Sequence, residues 1–181
     1  MGVARKRSTR NHYDELGGDV YNAQYGDEQP PKYHLALRLA PPSRDGLLLD
    51  DGCGTGTFLP DLGERGVGLD LSSSLLSTAR WKLRGRSHLV QGDAEALPFR
   101  DTVFAGIYSF TIVQNTPDPI EALAEMVRVV RGSSWVIVTA IRKAFTLKSF
   151  EGLMRSQKWG ELHFSDADPH DLVAYARSNE R

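Results

Sequence analysis

The chain has 181 residues, 40% apolar and 25% charged, with 22 Lys and Arg against 23 Asp and Glu for a formal net charge of −1. This fits one domain with an ordinary core, and excludes a disordered chain or a polycation that coats nucleic acid by bulk charge. A single cysteine, Cys53, excludes an internal disulfide framework and a zinc site built on paired cysteines. No run reaches the roughly 18 apolar residues of a membrane span. The basic start MGVARKRSTR lacks the apolar segment of a secretory signal, so a cytoplasmic setting away from membranes is expected.

Residues 1–10 carry Arg5, Lys6, Arg7 and Arg10 without an apolar pattern and read as a flexible basic tail. Residues 11–45 read as a helical flap with Tyr13, Tyr21, Tyr25 and Tyr33. Within it a helix is predicted from Lys32 to Ala40, opened by Pro30–Pro31 and stopped by Pro41–Pro42. From residue 46 to 181 strands and helices alternate. Leu47–Leu49 is an apolar run closed by glycines, which suits a buried strand. Phe58–Glu64 reads as a short helix and Gly66–Leu69 as a second strand. Ser72 suits the N-cap of a helix with Leu75, Leu76, Ala79 and Leu83 on one face. His88–Val90 and Val103–Val113 read as the third and fourth strands. Asp118, Pro119 and Glu121 form a capping-box start to a helix with the stripe Ile120, Leu123, Ala124, Val127 and Val130. Trp135–Ile141 is a fifth strand, rich in β-branched residues. Leu147–Lys158 reads as a helix, and Leu162–Phe164 and Leu172–Ala176 as two last strands. The alternation predicts an α/β, doubly wound, mainly parallel seven-stranded sheet. The last two strands leave no room for a crossover helix, so a C-terminal antiparallel hairpin strand is expected.

The chemistry concentrates in Asp50-Asp51-Gly52-Cys53-Gly54-Thr55-Gly56, which follows the first strand and precedes a helix. Glycines at every second position let the backbone turn sharply and approach a ligand, and the free amides of the helix start favour an anionic group. Asp50 precedes the first glycine by two residues. Asp70 ends the second strand, where a carboxylate can accept both hydroxyls of a ribose. After the third strand comes Gln91-Gly92-Asp93-Ala94-Glu95-Ala96-Leu97-Pro98-Phe99. There Asp93 can accept an exocyclic adenine amine, and Ala94 offers a backbone amide to a ring nitrogen. A dinucleotide fingerprint needs glycine where Thr57 stands, and no Gly-Lys-Ser/Thr of a P-loop follows.

In combination, and over residues 11–177, these features resemble a class I S-adenosylmethionine (SAM) dependent methyltransferase, a Rossmann-like fold. The resemblance implies SAM as methyl donor and S-adenosylhomocysteine as product. It implies that Gly52, Gly54 and Gly56, with Asp50 and Cys53 in the same turn, lie at the methionyl part. Asp70 and Leu71 then meet the ribose, Asp93 and Ala94 the adenine, and Ser109–Thr111 lie beneath the sulfonium. Tyr13-Asp14 and Tyr21-Asn22 resemble the lead-in of quinone-biosynthesis methyltransferases, which sets Tyr21 and Tyr25 near donor or acceptor. Asp51 stands where that family usually has an aliphatic residue. It is expected to receive the SAM ammonium or to face water, since a buried carboxylate needs a partner. Ala105 replaces an acid common in the fourth-strand motif.

Transfer from a positive sulfur needs positioning and desolvation more than a strong base, so no catalytic triad is expected. None is apparent: His12, His34, His88, His163 and His170 are scattered, and no metal cluster is predicted. Acceptor-side candidates are Ser109, Thr111, Gln114 and Asn115, with Tyr21 from the flap. The Asn-Pro-Pro-aromatic signature of planar amine acceptors is missing, because Asn115-Thr116-Pro117-Asp118 lacks its second proline. A chain of this size has little surface of its own for choosing a substrate. The N, O or C acceptor is therefore expected to be an RNA (tRNA or rRNA) or a translation factor, handled with a partner such as the small zinc-binding activator subunit some family members use. A small molecule enclosed by the flap is the alternative, and a non-catalytic SAM-binding or scaffold module a third. The groups Arg5, Lys6, Arg7 and Arg10, Lys82, Arg84 and Arg86, and Arg142, Lys143 and Lys148 would suit an RNA backbone.

Overall fold

The computed structural model describes residues 2–26, 29–165 and 167–180. In chain order the elements are α1 (Gly2–Tyr25), α2 (Gln29–Leu39), β1 (Leu47–Asp51), α3 (Leu59–Leu62) with a 3-10 turn (Gly63–Arg65), β2 (Gly66–Asp70), α4 (Ser73–Leu83), β3 (His88–Gln91), β4 (Phe104–Ser109), α5 (Pro119–Val129), β5 (Val130–Ile141), α6 (Leu147–Met154), β6 (Glu161–Ser165) and β7 (Asp171–Arg177). The strands form one seven-stranded sheet in the order β3-β2-β1-β4-β5-β7-β6. β3 to β5 are mutually parallel, and β7 runs antiparallel to both β5 and β6, as expected for the C-terminal hairpin. The order reverses between β1 and β4. That switch point opens a crevice at the carboxyl ends of the parallel strands. Because β7 is antiparallel, its first residue, Asp171, pairs with Ile141 at the same end.

Alternation along β1 sends Leu48 and Leu49 to opposite faces. Leu48 joins Ala36, Phe58, Leu62, Leu76, Ala79 and Leu83, so α2, α3 and α4 cover one face. Leu49 joins Leu123, Met126, Val129, Phe150 and Met154, so α5 and α6 cover the other. By the same alternation Asp50 and Asp51 end the strand on opposite faces. Among the described residues no helix is long and apolar enough to cross a membrane.

Local chemistry accounts for the element ends. Ser72 Oγ accepts from Leu75 N at 3.2 Å and caps α4, whose buried face is the expected Leu75, Leu76, Ala79 and Leu83. Asp118 Oδ1 accepts from Ile120 N and Glu121 N, both at 3.1 Å. The expected reciprocal bond from Glu121 is replaced by Glu95, whose Oε1 accepts from Asp118 N at 3.0 Å. The buried face of α5 is Ala122, Leu123, Met126 and Val129, not the stripe starting at Ile120, which stays half exposed.

Other boundaries also differ from the sequence expectation. Residues 2–10, read as a tail, are the first turns of α1, where Lys6 finds Asp93 and Glu95 in the loop after β3. α2 starts at Gln29 and takes Pro30 and Pro31 into its first turn, where a missing N–H is not felt. β4 stops at Ser109 because Thr111 turns into the left-handed region at φ 57. α6 stops at Met154, whose carbonyl accepts from Trp159 Nε1 at 2.8 Å.

Candidate active site

The turn after β1 is shaped by close approach. Gly52 has φ 82, and a Cβ there would lie 2.0 Å from Ile112 Cδ1. Gly54, at φ 53, has Tyr21 of α1 lying over it, so that a Cβ would be 3.0 Å from the tyrosine Oη. Gly56 is also left-handed, at φ 74. Asp70 is fixed from both sides: Gly54 N donates to its Oδ2 and Ser72 N to its Oδ1, each at 2.8 Å. Burial raises its pKa, and those backbone donors act against the rise.

Asp50 and Asp51 carry the site's electrostatic tension. Both are buried. Asp51 Oδ2 accepts from Ser109 Oγ at 3.3 Å, while Asp51 Oδ1 and Asp50 Oδ2 have no hydrogen-bond partner. Burial, then the neighbouring Asp51 and Asp70 charges, hold the Asp50 pKa well above the carboxylate range. Burial pushes Asp51 up to about 7, opposed by the Ser109 bond and helped by Asp70 and Asp93. Among the described residues no cation pairs with either carboxyl, so the cluster suits a ligand that brings positive charge. Cys53 is buried beneath the turn, its thiol pKa raised by burial and then by Asp50 and Asp70.

α1 forms the roof. It bends at Gly17 (φ 69, ψ 161) and is tied down on both sides of the bend. Lys6 Nζ lies 2.7 Å from both Asp93 Oδ2 and Glu95 Oε2. Asp14 Oδ1 accepts from Ser72 Oγ at 2.6 Å and Ser74 N at 3.1 Å. Asn22 Oδ1 accepts from Thr55 Oγ1 at 2.6 Å. Tyr13 and Tyr21 meet at 6.1 Å between ring centroids, and Tyr21 and Tyr25 at 5.1 Å. Burial raises the Tyr13 and Tyr21 pKa values, so both phenols stay protonated at neutral pH.

Two adjoining cavities lie under this roof. The first, of about 100 Å³, is lined by Asp51, Gly52, Asp70, Leu71 and Ala94 from the sheet, and by Lys6 and Thr9 from α1. The second, of about 440 Å³, is lined by Tyr25, Gln114 and residues of α2, the end of β5 and the start of β7. Tyr13, Tyr21, Thr111 and Asn115 line both. The structure thus brings most of the expected site residues together. Asp93 meets the first cavity through its ion pair with Lys6. Asp50, Cys53, Gly54, Gly56 and Ser109 line neither; they lie behind the wall, with Ser109 fully buried against Asp51. Asn115 Nδ2 donates to Tyr13 Oη at 3.3 Å and to Thr111 O at 3.1 Å.

Three participants escaped the sequence reading. Tyr13 was placed only as part of a lead-in motif, yet it stands eight residues before Tyr21 and lines both cavities. Lys6 looked like tail charge. Lys32, next to the proline pair, looked like an ordinary helix residue, but its side chain is 5% exposed and pairs with Asp171 at 2.5 Å. A lysine on the buried side of its helix is the one signal that periodicity offered. Of the histidines, only His170 lines either of these two cavities. His163 stacks on Tyr175 at 4.8 Å. Among the described residues no cluster of His, Cys, Asp and Glu suits a metal.

A family model described as a methyltransferase domain matches residues 49–138. A ubiquinone/menaquinone biosynthesis C-methyltransferase from Shewanella sp. is 33% identical over 160 residues, 79% of this chain and 62% of that one. A malonyl-[acyl-carrier protein] O-methyltransferase from Marinomonas sp. is 30% identical over 146 residues, 77% of this chain and 53% of that one. This chain therefore spans less than two thirds of the length of these relatives. Among solved structures, the Haloferax volcanii complex of the Trm112 methyltransferase activator with a methyltransferase contains a chain that superposes with TM-score 0.77 at 17% identity, over 93% of this chain and 98% of that one. At that identity the likeness is one of fold. The matched domain, the acid-flanked glycine turn and the strand order together make this chain a member of the class I S-adenosylmethionine-dependent methyltransferase family.

Proposed function

We propose that the chain transfers a methyl group from SAM to a small-molecule acceptor enclosed between the sheet and its N-terminal flap. The observation that carries this reading is the pair of adjoining cavities with Tyr13, Tyr21, Thr111 and Asn115 in both linings. A donor site and an acceptor site that share a wall allow in-line approach of two reactants.

The first cavity fits the donor by its chemistry. SAM carries a sulfonium and an ammonium, and the Asp51 carboxyl in the cavity wall has an oxygen without a partner. In this reading Asp70 and Leu71 hold the ribose, Asp93 and Ala94 the adenine, and the Gly52–Gly56 turn the methionyl part. Bound there, the donor supplies an activated methyl. The acceptor's lone pair forms the new bond to carbon, the carbon–sulfur bond breaks, sulfur keeps that electron pair as a thioether, and the acceptor's proton leaves to water. Thr111, Gln114 and Asn115 orient the acceptor, and Tyr13 and Tyr21 form the wall where the two cavities meet.

A small acceptor is supported by the name of one of the curated relatives, a ubiquinone/menaquinone biosynthesis C-methyltransferase. It is supported too by the state of the basic groups. Lys6 is paired with Asp93 and Glu95, Arg10 with Asp14, and Lys82 bonds Thr55, so several cations expected to meet RNA are engaged internally. A second reading, an activator-assisted enzyme acting on RNA or a translation factor, rests on the Haloferax volcanii complex with its Trm112 activator. Incubation with methyl-labelled SAM and separate small-molecule, RNA and protein fractions tests the choice. Label in the small-molecule fraction alone supports the first reading. Label in RNA or protein, dependent on an added small zinc-binding subunit, supports the second and overturns the first.

A further inference from the structure

The larger cavity has a chemical polarity that the methyl-transfer reading does not use. Across the sheet its lining runs from β4, through β5, to β7. At the β4 end Gln114 Nε2 donates to Thr111 O at 2.5 Å, which fixes the amide orientation, since the flipped amide would set two oxygens against each other. Gln114 Oε1 is then a buried acceptor with no partner. At the β7 end Lys32, 95% buried, has Asp171 as its one ionic partner among the described residues, although an ammonium carries three donors. Arg142 and Lys143 stand beside it on the segment that leaves β5, with His170. Among the described lining residues Asp171 is the one carboxylate, and Lys32 neutralises it. The Arg142 guanidinium is anchored on the Asp168 carbonyl at 3.1 Å. Lys143 is exposed at the mouth.

We infer that this cavity binds a small anionic acceptor, its carboxylate or phosphate held by Lys32 and Lys143 and its own O–H or N–H donated to Gln114 Oε1. The inference rests on the methyl-transfer reading above and names the substrate class of that site. The buried ion pair supports it. Lys32 with Asp171 is costly to desolvate and contributes little net stability. Seated at a cavity wall, it presents two ammonium donors that an anion can complete. The spacing supports it as well. Two strand intervals, about 10 Å, separate β4 from β7, so the sheet sets the Gln114 side of the cavity apart from the Asp171 side.

The test is calorimetry on the full chain, first with S-adenosylhomocysteine and then, at saturation, with four probes of one shape. These are 3-(4-hydroxyphenyl)propanoate, its methyl ester, tyramine and 3-phenylpropanoate. The hydroxy acid should bind about tenfold more tightly than the neutral ester, as one lost charge-assisted contact implies, and more tightly still than cationic tyramine. The acid without the hydroxyl should fall between. Lys32→Met would strand the Asp171 carboxylate and threaten the fold, so the charge is tested at exposed Lys143. Lys143→Ala should narrow the gap between acid and ester, and Gln114→Leu should abolish the gap between the hydroxylated and plain acids. Binding of the ester or tyramine as tightly as the acid, or no binding of the acid to a protein that does bind S-adenosylhomocysteine, overturns the inference and leaves the methyl-transfer reading standing. Failure to bind S-adenosylhomocysteine overturns both.

Discussion

Lys6 and Asp93 are joined at 2.7 Å across the mouth of the smaller cavity, so that the acid expected to meet an adenine amine already holds a cation from the chain's own first helix. Glu95 completes the clamp at the same distance. With α1 seated, the cavity is about 100 Å³, below the roughly 300 Å³ at which small-molecule sites begin. Donor binding is therefore expected to shift α1 about its bend at Gly17. Lys6→Met should free Asp93 and tighten S-adenosylhomocysteine binding. Both partners are partly solvated, so the gain should be at most about fivefold, the equivalent of about 1 kcal/mol. Calorimetry on the variant checks this; weaker binding would mean that Lys6 helps hold the ligand.

Asp51 links donor affinity to pH. Its carboxyl is held near 7 by burial, and a bound cation favours its ionised form, so binding releases a proton. Affinity for SAM should rise with pH, by about tenfold between pH 6 and 8 for one group titrating near 7. Asp51→Asn should flatten that profile. A pH dependence unchanged in the variant would remove Asp51 from the donor site.

The same raised pKa makes a stability prediction of opposite sense. A carboxyl with a folded-state pKa above its unfolded value favours folding most at low pH, and this contribution is lost as pH rises from the ordinary carboxylate range through about 7. Asp51→Asn should therefore raise the Tm at pH 8, and raise it less at pH 5. Thermal unfolding at the two pH values reads the difference directly. A variant that gains stability while losing donor affinity would mark Asp51 as a group kept for function.

The attachment of α1 is testable without any ligand. Asp14 bonds Ser72 Oγ and Ser74 N, at the cap of α4. Asp14→Ala should release α1 while Ser72 still caps α4 through Leu75 N. Hydrogen exchange should speed up over residues 2–16 and stay slow in β1, β4 and β5. Uniform protection across the chain would contradict the account of α1 as a separately anchored roof.

Gly52→Ala should be severe. The Cβ would sit 2.0 Å from Ile112 Cδ1 on a backbone at φ 82. The left-handed conformation alone costs about 1–2 kcal/mol, and Ile112 would be pushed into the smaller cavity. The expected outcome is a lower Tm with SAM binding lost. Normal binding in the variant would show that the turn adapts.

Much of this architecture was legible in the residues, and the reason is periodicity. Leu75, Leu76, Ala79 and Leu83 repeat at helical spacing beside the Ser72 cap, and each is buried as that pattern requires. Alternating Leu48, Leu49, Asp50 and Asp51 put an acid on each face of β1. What did not show was tertiary. Helicity of residues 2–10 depends on Asp93 and Glu95, more than eighty residues away, and no local pattern encodes a distant ion pair. Lys32 reads as surface until β7 brings Asp171 to it. Ile120 reads as core because its spacing to Leu123 fits, but α5 buries Ala122, Leu123, Met126 and Val129 and leaves Ile120 half exposed.

The most direct test of the central claim is calorimetric titration of the purified chain with SAM and, separately, with NAD, repeated on Asp70→Ala. The account predicts SAM binding, no response to NAD, and binding weakened at least tenfold in the variant, because the carboxylate that Gly54 N and Ser72 N hold in place is then gone. Unchanged SAM affinity in a folded Asp70→Ala protein, or a response to NAD in place of SAM, would contradict it.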